Sequence, residues 1–161
     1  MLKDLVTKNR LRALALLRRL EWLAPLLGRL SVGLLFLSTG WGKVHSLDKV
    51  TKFFVTLGIP APGLNAVVVG YSELVCGALL VVGLCTRVAT IPLIVSMAVA
   101  ILTAKLGDIH GVFDLVGADE FTYLCVLVIL ALIGPGKVSL DALLVKSWPS
   151  ESGPGGAGLV S

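Results

Sequence analysis

Apolar residues run almost without interruption through four stretches of the chain, 22–42, 63–84, 88–104 and 121 to about 143, with the polar residues gathered between them. Each run is near the ~20 residues that a helix needs to cross a bilayer. The runs do not alternate apolar with polar at period two, so helices rather than barrel strands are expected to satisfy the backbone in lipid. The predicted fold is all-α, an integral membrane four-helix bundle. The fourth run contains Gly134-Pro135-Gly136, which should kink or end its helix, since proline lacks a donor and glycine orders poorly. A short final helix is expected from Ser139. After the first span, Val50, Phe53, Phe54 and Leu57 recur at helical spacing and Gly58-Ile59-Pro60 stops the turn. This predicts a short amphipathic helix at the interface, either covering a cavity between the spans or serving only as an anchor.

Three regions follow: a basic amphipathic segment 1–21, a membrane domain 22–146, and a disordered Gly/Ser-rich tail 147–161. In the first, basic residues are interleaved with Leu11, Leu14, Leu17 and Leu20, a pattern suited to lying along an anionic leaflet. It does not read as a cleaved signal peptide, because the apolar run behind it is too long and a small-x-small cleavage site is missing.

Composition agrees with a bilayer and excludes an ordinary soluble domain: 56% of residues are hydrophobic and 15% charged, and the mean hydropathy is +0.94. The basic residues fit a lipid surface, and no nucleic-acid partner is expected. Lys3, Lys8, Arg10, Arg12, Arg18 and Arg19 precede the first span against Asp4 and Glu21, while Asp108, Asp114, Asp119 and Glu120 outweigh Lys105 before the fourth. The excess of cations on the cytoplasmic side then places both termini there, in a multi-pass membrane protein. Lys43, Lys49 and Lys52 argue the other way.

Two charges lie well inside the spans, Arg29 and Glu73. Glu73 is ten residues past Gly63, about 15 Å along a helix and so close to the midplane; an ionisable group at that depth is a candidate functional residue. Gly70 and Gly77 share its face, and Gly33 and Gly40 share a face with Arg29. Small residues at these spacings allow close helix approach. If the two faces meet, Arg29 reaches toward Glu73 and keeps it ionised; without a partner, burial favours the neutral acid. A neutral acid donates to a quinone carbonyl or relays a proton, whereas a paired carboxylate mainly fixes helix register.

Other chemistry is sparse. Cys76, Cys85 and Cys125 form no Cys-x-x-Cys pair, the arrangement that attacks and then resolves a mixed disulfide. Cys76 and Cys85 are too far apart along one helix to bridge; a contact of Cys76 with Cys125 across two helices stays open, and small buried hydrophobes are the simpler reading. His45 and His110 sit near Asp48, Asp108 and Asp114 without the spacing of a metal motif, so no metal site is expected.

The ordered set Arg29, Gly33, Phe36, Gly40, Lys43, then Phe53-Phe54 with Gly58-Ile59-Pro60, then Glu73, Gly77, Gly83, Thr86 and Arg87, resembles the DoxX family of small four-helix membrane proteins. His110-Gly111, Glu120 and the run Gly134-Pro135-Gly136-Lys137-Val138-Ser139-Leu140-Asp141 complete the likeness. It covers about residues 29 to 141 and leaves out the basic N-terminal extension and the glycine-rich tail. The resemblance implies an association with thiosulfate:quinone oxidoreduction, where a related protein is one of two subunits, or with membrane complexes that handle oxidative or thiol stress.

The leading expectation is therefore a redox-associated membrane subunit that anchors a partner oxidoreductase and holds a quinone in a cleft lined by Arg29, Trp41, Lys43 and Glu73, with Glu73 as the candidate catalytic group. No covalently bound cofactor is expected, since no haem, flavin or iron-sulfur ligand set is visible, and independent enzyme activity is not expected. The alternative is a non-catalytic assembly subunit of a larger membrane complex, with Arg29 and Glu73 as an internal brace. Glycine faces of this kind serve oligomer formation as readily as internal packing.

Overall fold

The computed structural model describes residues 10, 14–15, 18–105, 107 and 109–147. Most of the amphipathic N-terminal segment, Asp108 and the glycine-rich tail beyond Ser147 lie outside the described residues. Every regular element described is helical: α1 (Leu23–His45), α2 (Leu47–Thr56), α3 (Pro62–Val82), α4 (Thr86–Ala100) continued by a π-helical turn (Ile101–Lys105), α5 (Val112–Gly117), α6 (Asp119–Ile133) and α7 (Leu140–Ser147).

Local chemistry sets the boundaries. The chain leaves α2 through Gly58 at φ 68° and enters α3 at Pro62, whose missing N–H costs nothing in a first turn. α3 stops at Gly83, whose φ of 76° suits a residue without Cβ; Leu84 N then donates to Leu79 O at 2.9 Å and closes the cap.

Three helices are long and apolar enough to cross a membrane: 18–45, 62–82 and 86–105. The fourth expected span, 121 to about 143, is broken. α6 ends at Ile133 after 15 residues, about 22 Å, because Gly134 takes φ 88° and Gly136 φ 77° around Pro135. The separate α7 follows, where a short final helix was expected. The helix after the first span is present as α2, and none of its residues is buried.

α1 and α3 run antiparallel with their backbones in contact. A Cβ added at Gly40 would collide with the backbone of Leu74, and one at Gly77 would lie 2.5 Å from Leu37 N. The two glycine faces read from the sequence do meet. α4 packs on α3 and on α6, and α6 also touches α1. These helices enclose a core of Val32, Phe36, Cys76, Leu80, Ala89, Leu93, Met97 and Leu127.

Gly40→Ala and Gly77→Ala should each lower stability by about 1–3 kcal/mol through overpacking. Gly42→Ala, where an added Cβ meets nothing within 4 Å, should be neutral or raise it through helix propensity. Thermal unfolding of the three purified variants in one detergent checks the contrast.

Candidate functional site

Glu73 is fully buried, on the α3 face turned to α1 and α4. Its carboxylate takes Lys43 Nζ at 2.6 Å on both oxygens. Thr39 Oγ1 lies 3.2 Å from Oε2, and Ser96 Oγ donates to Oε1 at 3.0 Å. Thr39 Oγ1 is also 3.3 Å from Phe36 O, so its one proton serves one acceptor or the other. Three helices thus meet on one carboxylate, α1 through Thr39 and Lys43 and α4 through Ser96. Charge-assisted bonds of this kind are the strong class, and the bonds from Lys43 and Ser96, with Thr39 shared, leave little of the anion bare.

Lys43 differs from its partner in access. Its side chain is 31% exposed against 1% for Glu73, and it lies two residues before the end of α1. An ammonium carries three donors. Two are spent on Glu73, and the third has no partner among the described residues. The pair therefore presents a cationic donor outward from a buried anion.

The expected cleft of Arg29, Trp41, Lys43 and Glu73 separates into three places. Lys43 and Glu73 meet, but Arg29 does not reach Glu73, because the antiparallel register that sets Gly40 on Leu74 sets Arg29 beside Gly83, ten residues and about 15 Å further along α3. There Arg29, 2% exposed, donates through its two terminal nitrogens to Pro135 O at 2.9 Å and Val138 O at 2.7 Å. Its guanidinium fills the space a side chain at Gly83 would need. Asp141 accepts from Cys85 N at 2.9 Å and Thr86 N at 3.3 Å at the start of α4, and Asp141 N donates to Gly83 O at 3.1 Å. Arg87 donates to Leu132 O at 3.3 Å. Arg29, Gly83, Thr86, Arg87 and the 134–141 run form one knot, and the buried apolar core lies between that knot and Glu73.

Trp41, two residues from Lys43 and so on the other side of α1, is 60% exposed. With Leu34, Leu37, Ser38, Leu74, Val75 and Ala78 it lines an apolar groove along α1 and α3. Its ring centroid is 4.3 Å from that of His45.

Thr39 and Ser96 were not singled out in the sequence. Thr39 carried a usable signal, lying four residues before Lys43, as did Lys43 itself, three after Gly40 and seven after Phe36 on the packed face. Ser96 carried none, because only the fold brings α4 to Glu73. The three cysteines are free, Cys76 buried and the other two exposed. Among the described residues, no group of three or more His, Cys, Asp or Glu side chains is assembled to hold a metal.

Truncating Lys43 to Met leaves a buried carboxylate without its counter-ion and should cost about 3 kcal/mol. Glu73→Gln should cost less, because the freed lysine can extend toward water. The double variant should recover part of the Lys43→Met loss, which a double-mutant cycle of unfolding midpoints measures.

Comparison with known proteins places these features in context. The DoxX family model matches residues 24–106. The chain is 40% identical over 129 residues to "Uncharacterized membrane protein Rv3486" of Mycobacterium tuberculosis (strain ATCC 25618 / H37Rv), covering 73% of this chain and 79% of that one. It is 31% identical to "Putative oxidoreductase CatD" of Bacillus subtilis (strain 168), covering 77% and 89%. It is 28% identical to "Inner membrane protein YqjF" of Escherichia coli (strain K12), covering 82% and 100%. No solved structure matches the chain.

Proposed function

The chain belongs to the DoxX family of membrane proteins, and from that premise we propose that it is a redox-associated subunit that anchors a partner oxidoreductase and holds a quinone headgroup against the Lys43–Glu73 pair. The observation that carries this reading is the third N–H donor of Lys43, held in place by a buried carboxylate and left without a partner among the described residues. A quinone carbonyl is an uncharged acceptor that reaches such a donor from the bilayer. When bound, the quinone supplies two-electron, two-proton chemistry, the electrons coming from the partner. Lys43 orients the carbonyl and stabilises charge that develops on it. Glu73 fixes Lys43 and passes protons through the same contact. The relative named an oxidoreductase supports a redox setting.

In this reading α6 is the fourth membrane element, a short one that the bilayer accommodates by local thinning, and the protein is a four-helix bundle in a bacterial inner membrane. The knot end carries Arg18, Arg19, Arg87, Lys137 and Lys146, so it faces the cytoplasm, and the Lys43–Glu73 pair lies toward the outer side. The second reading, a non-catalytic assembly subunit with the pair as an internal brace, is favoured by the same carboxylate's being saturated with donors.

Titration of the purified full chain in lipid nanodiscs with a short-tailed ubiquinone separates the two. Quinone binding predicts saturable affinity that falls about tenfold in Lys43→Met, the worth of one hydrogen bond to a charged group. A brace predicts binding no different from empty nanodiscs.

A further inference from the structure

The knot at the Arg29 end takes no part in the proposed quinone site, yet it gathers many of the chain's most distinctive residues. It fixes the take-off of α7. Asp141, in the first turn of that helix, is held by two backbone N–H groups of the α3–α4 turn, and its own N–H is held by Gly83 O. Just before it, the carbonyls of Pro135 and Val138 are gripped by Arg29, and Ser139 Oγ donates to Gly136 O at 2.9 Å while accepting from Ala142 N at 3.1 Å. A surface segment with no role would not need a buried arginine and a tertiary helix cap to aim it.

The knot aims an apolar face outward. Leu140, Leu143 and Leu144 lie at i, i+3 and i+4 on one side of α7 and are 40%, 63% and 54% exposed, with Val138 beside them at 51%. Lys137 and Lys146 flank this face and are exposed. Arg18, Arg19 and Arg87 are exposed at the same end of the molecule, while the acidic group of α7, Asp141, is spent inside the knot. The helix takes off level with the end of α3 and the start of α4, where hydrocarbon gives way to headgroups. An apolar stripe bordered by cations at that level is complementary to an anionic lipid surface.

We infer that α7 is a foot that lies in an anionic leaflet, its leucine face among the acyl chains and Lys137 and Lys146 on the headgroup phosphates, with the Arg29–Asp141 knot as its mount. The foot is independent of the ligand held at Lys43.

The test is a spin label at Leu143→Cys in the full chain carrying Cys85→Ser and Cys125→Ser, reconstituted in nanodiscs of phosphatidylcholine with or without phosphatidylglycerol. In the anionic discs the label should collide more with oxygen than with a water-soluble nickel chelate. Nickel collisions should rise severalfold in the neutral discs, or when Lys137→Gln and Lys146→Gln are added with the knot intact. High nickel access in anionic discs overturns the foot, and so does protection from both reagents, which would mean that a second copy of the chain covers the leucines. Equal depth in both lipids overturns the role of the lysines.

Discussion

Backbone contact between α1 and α3 at Gly40 and Gly77 is the constraint from which both polar centres follow. With a side chain at either glycine the helices would stand further apart, and the short bonds from Lys43 to Glu73 would have to stretch across the gap. The same register carries Arg29 to Gly83, where again only glycine leaves room. One packing interface therefore fixes an ion pair near the end of α1 and an arginine-centred knot toward its start, with apolar core residues between them.

The two centres handle buried charge differently. Glu73 is neutralised by a cation and two hydroxyl-bearing side chains. Arg29 meets no carboxylate hydrogen bond among the described residues; its terminal nitrogens hold the carbonyls of Pro135 and Val138, in the linker that follows the end of α6 at Ile133. A break at Gly134-Pro135-Gly136 leaves backbone carbonyls that other groups must take up; Arg29 does this for the linker, and Arg87 takes Leu132 O in the last turn of α6. The arginine that the sequence offers as a partner for Glu73 instead holds the linker between α6 and α7.

Much of the architecture was legible in the linear pattern. Run length gave the three long helices, the Gly134-Pro135-Gly136 break gave the end of α6 and a separate final helix, and glycine spacing gave the faces that meet. Spacing defines a face but not the register of one helix against another, so the partner of Glu73 could not be chosen from it. Depth along each helix favoured Arg29 only if the helices were slid by several turns. Lys43 was legible as a lining residue of the cleft but not as the partner of Glu73, because it lies beside the end of its span, and Ser96 joins the site through a tertiary contact that no local pattern encodes.

The proposed role depends on Lys43 and Glu73 being a true ion pair that leaves one ammonium N–H for a ligand. Infrared difference spectroscopy of the wild type against Glu73→Gln in nanodiscs addresses that directly. An ion pair requires that the absorption lost on substitution be that of an ionised carboxylate, shifting when quinone is added to the wild type. Loss of a protonated carboxyl band, or a carboxylate band indifferent to quinone, would contradict it.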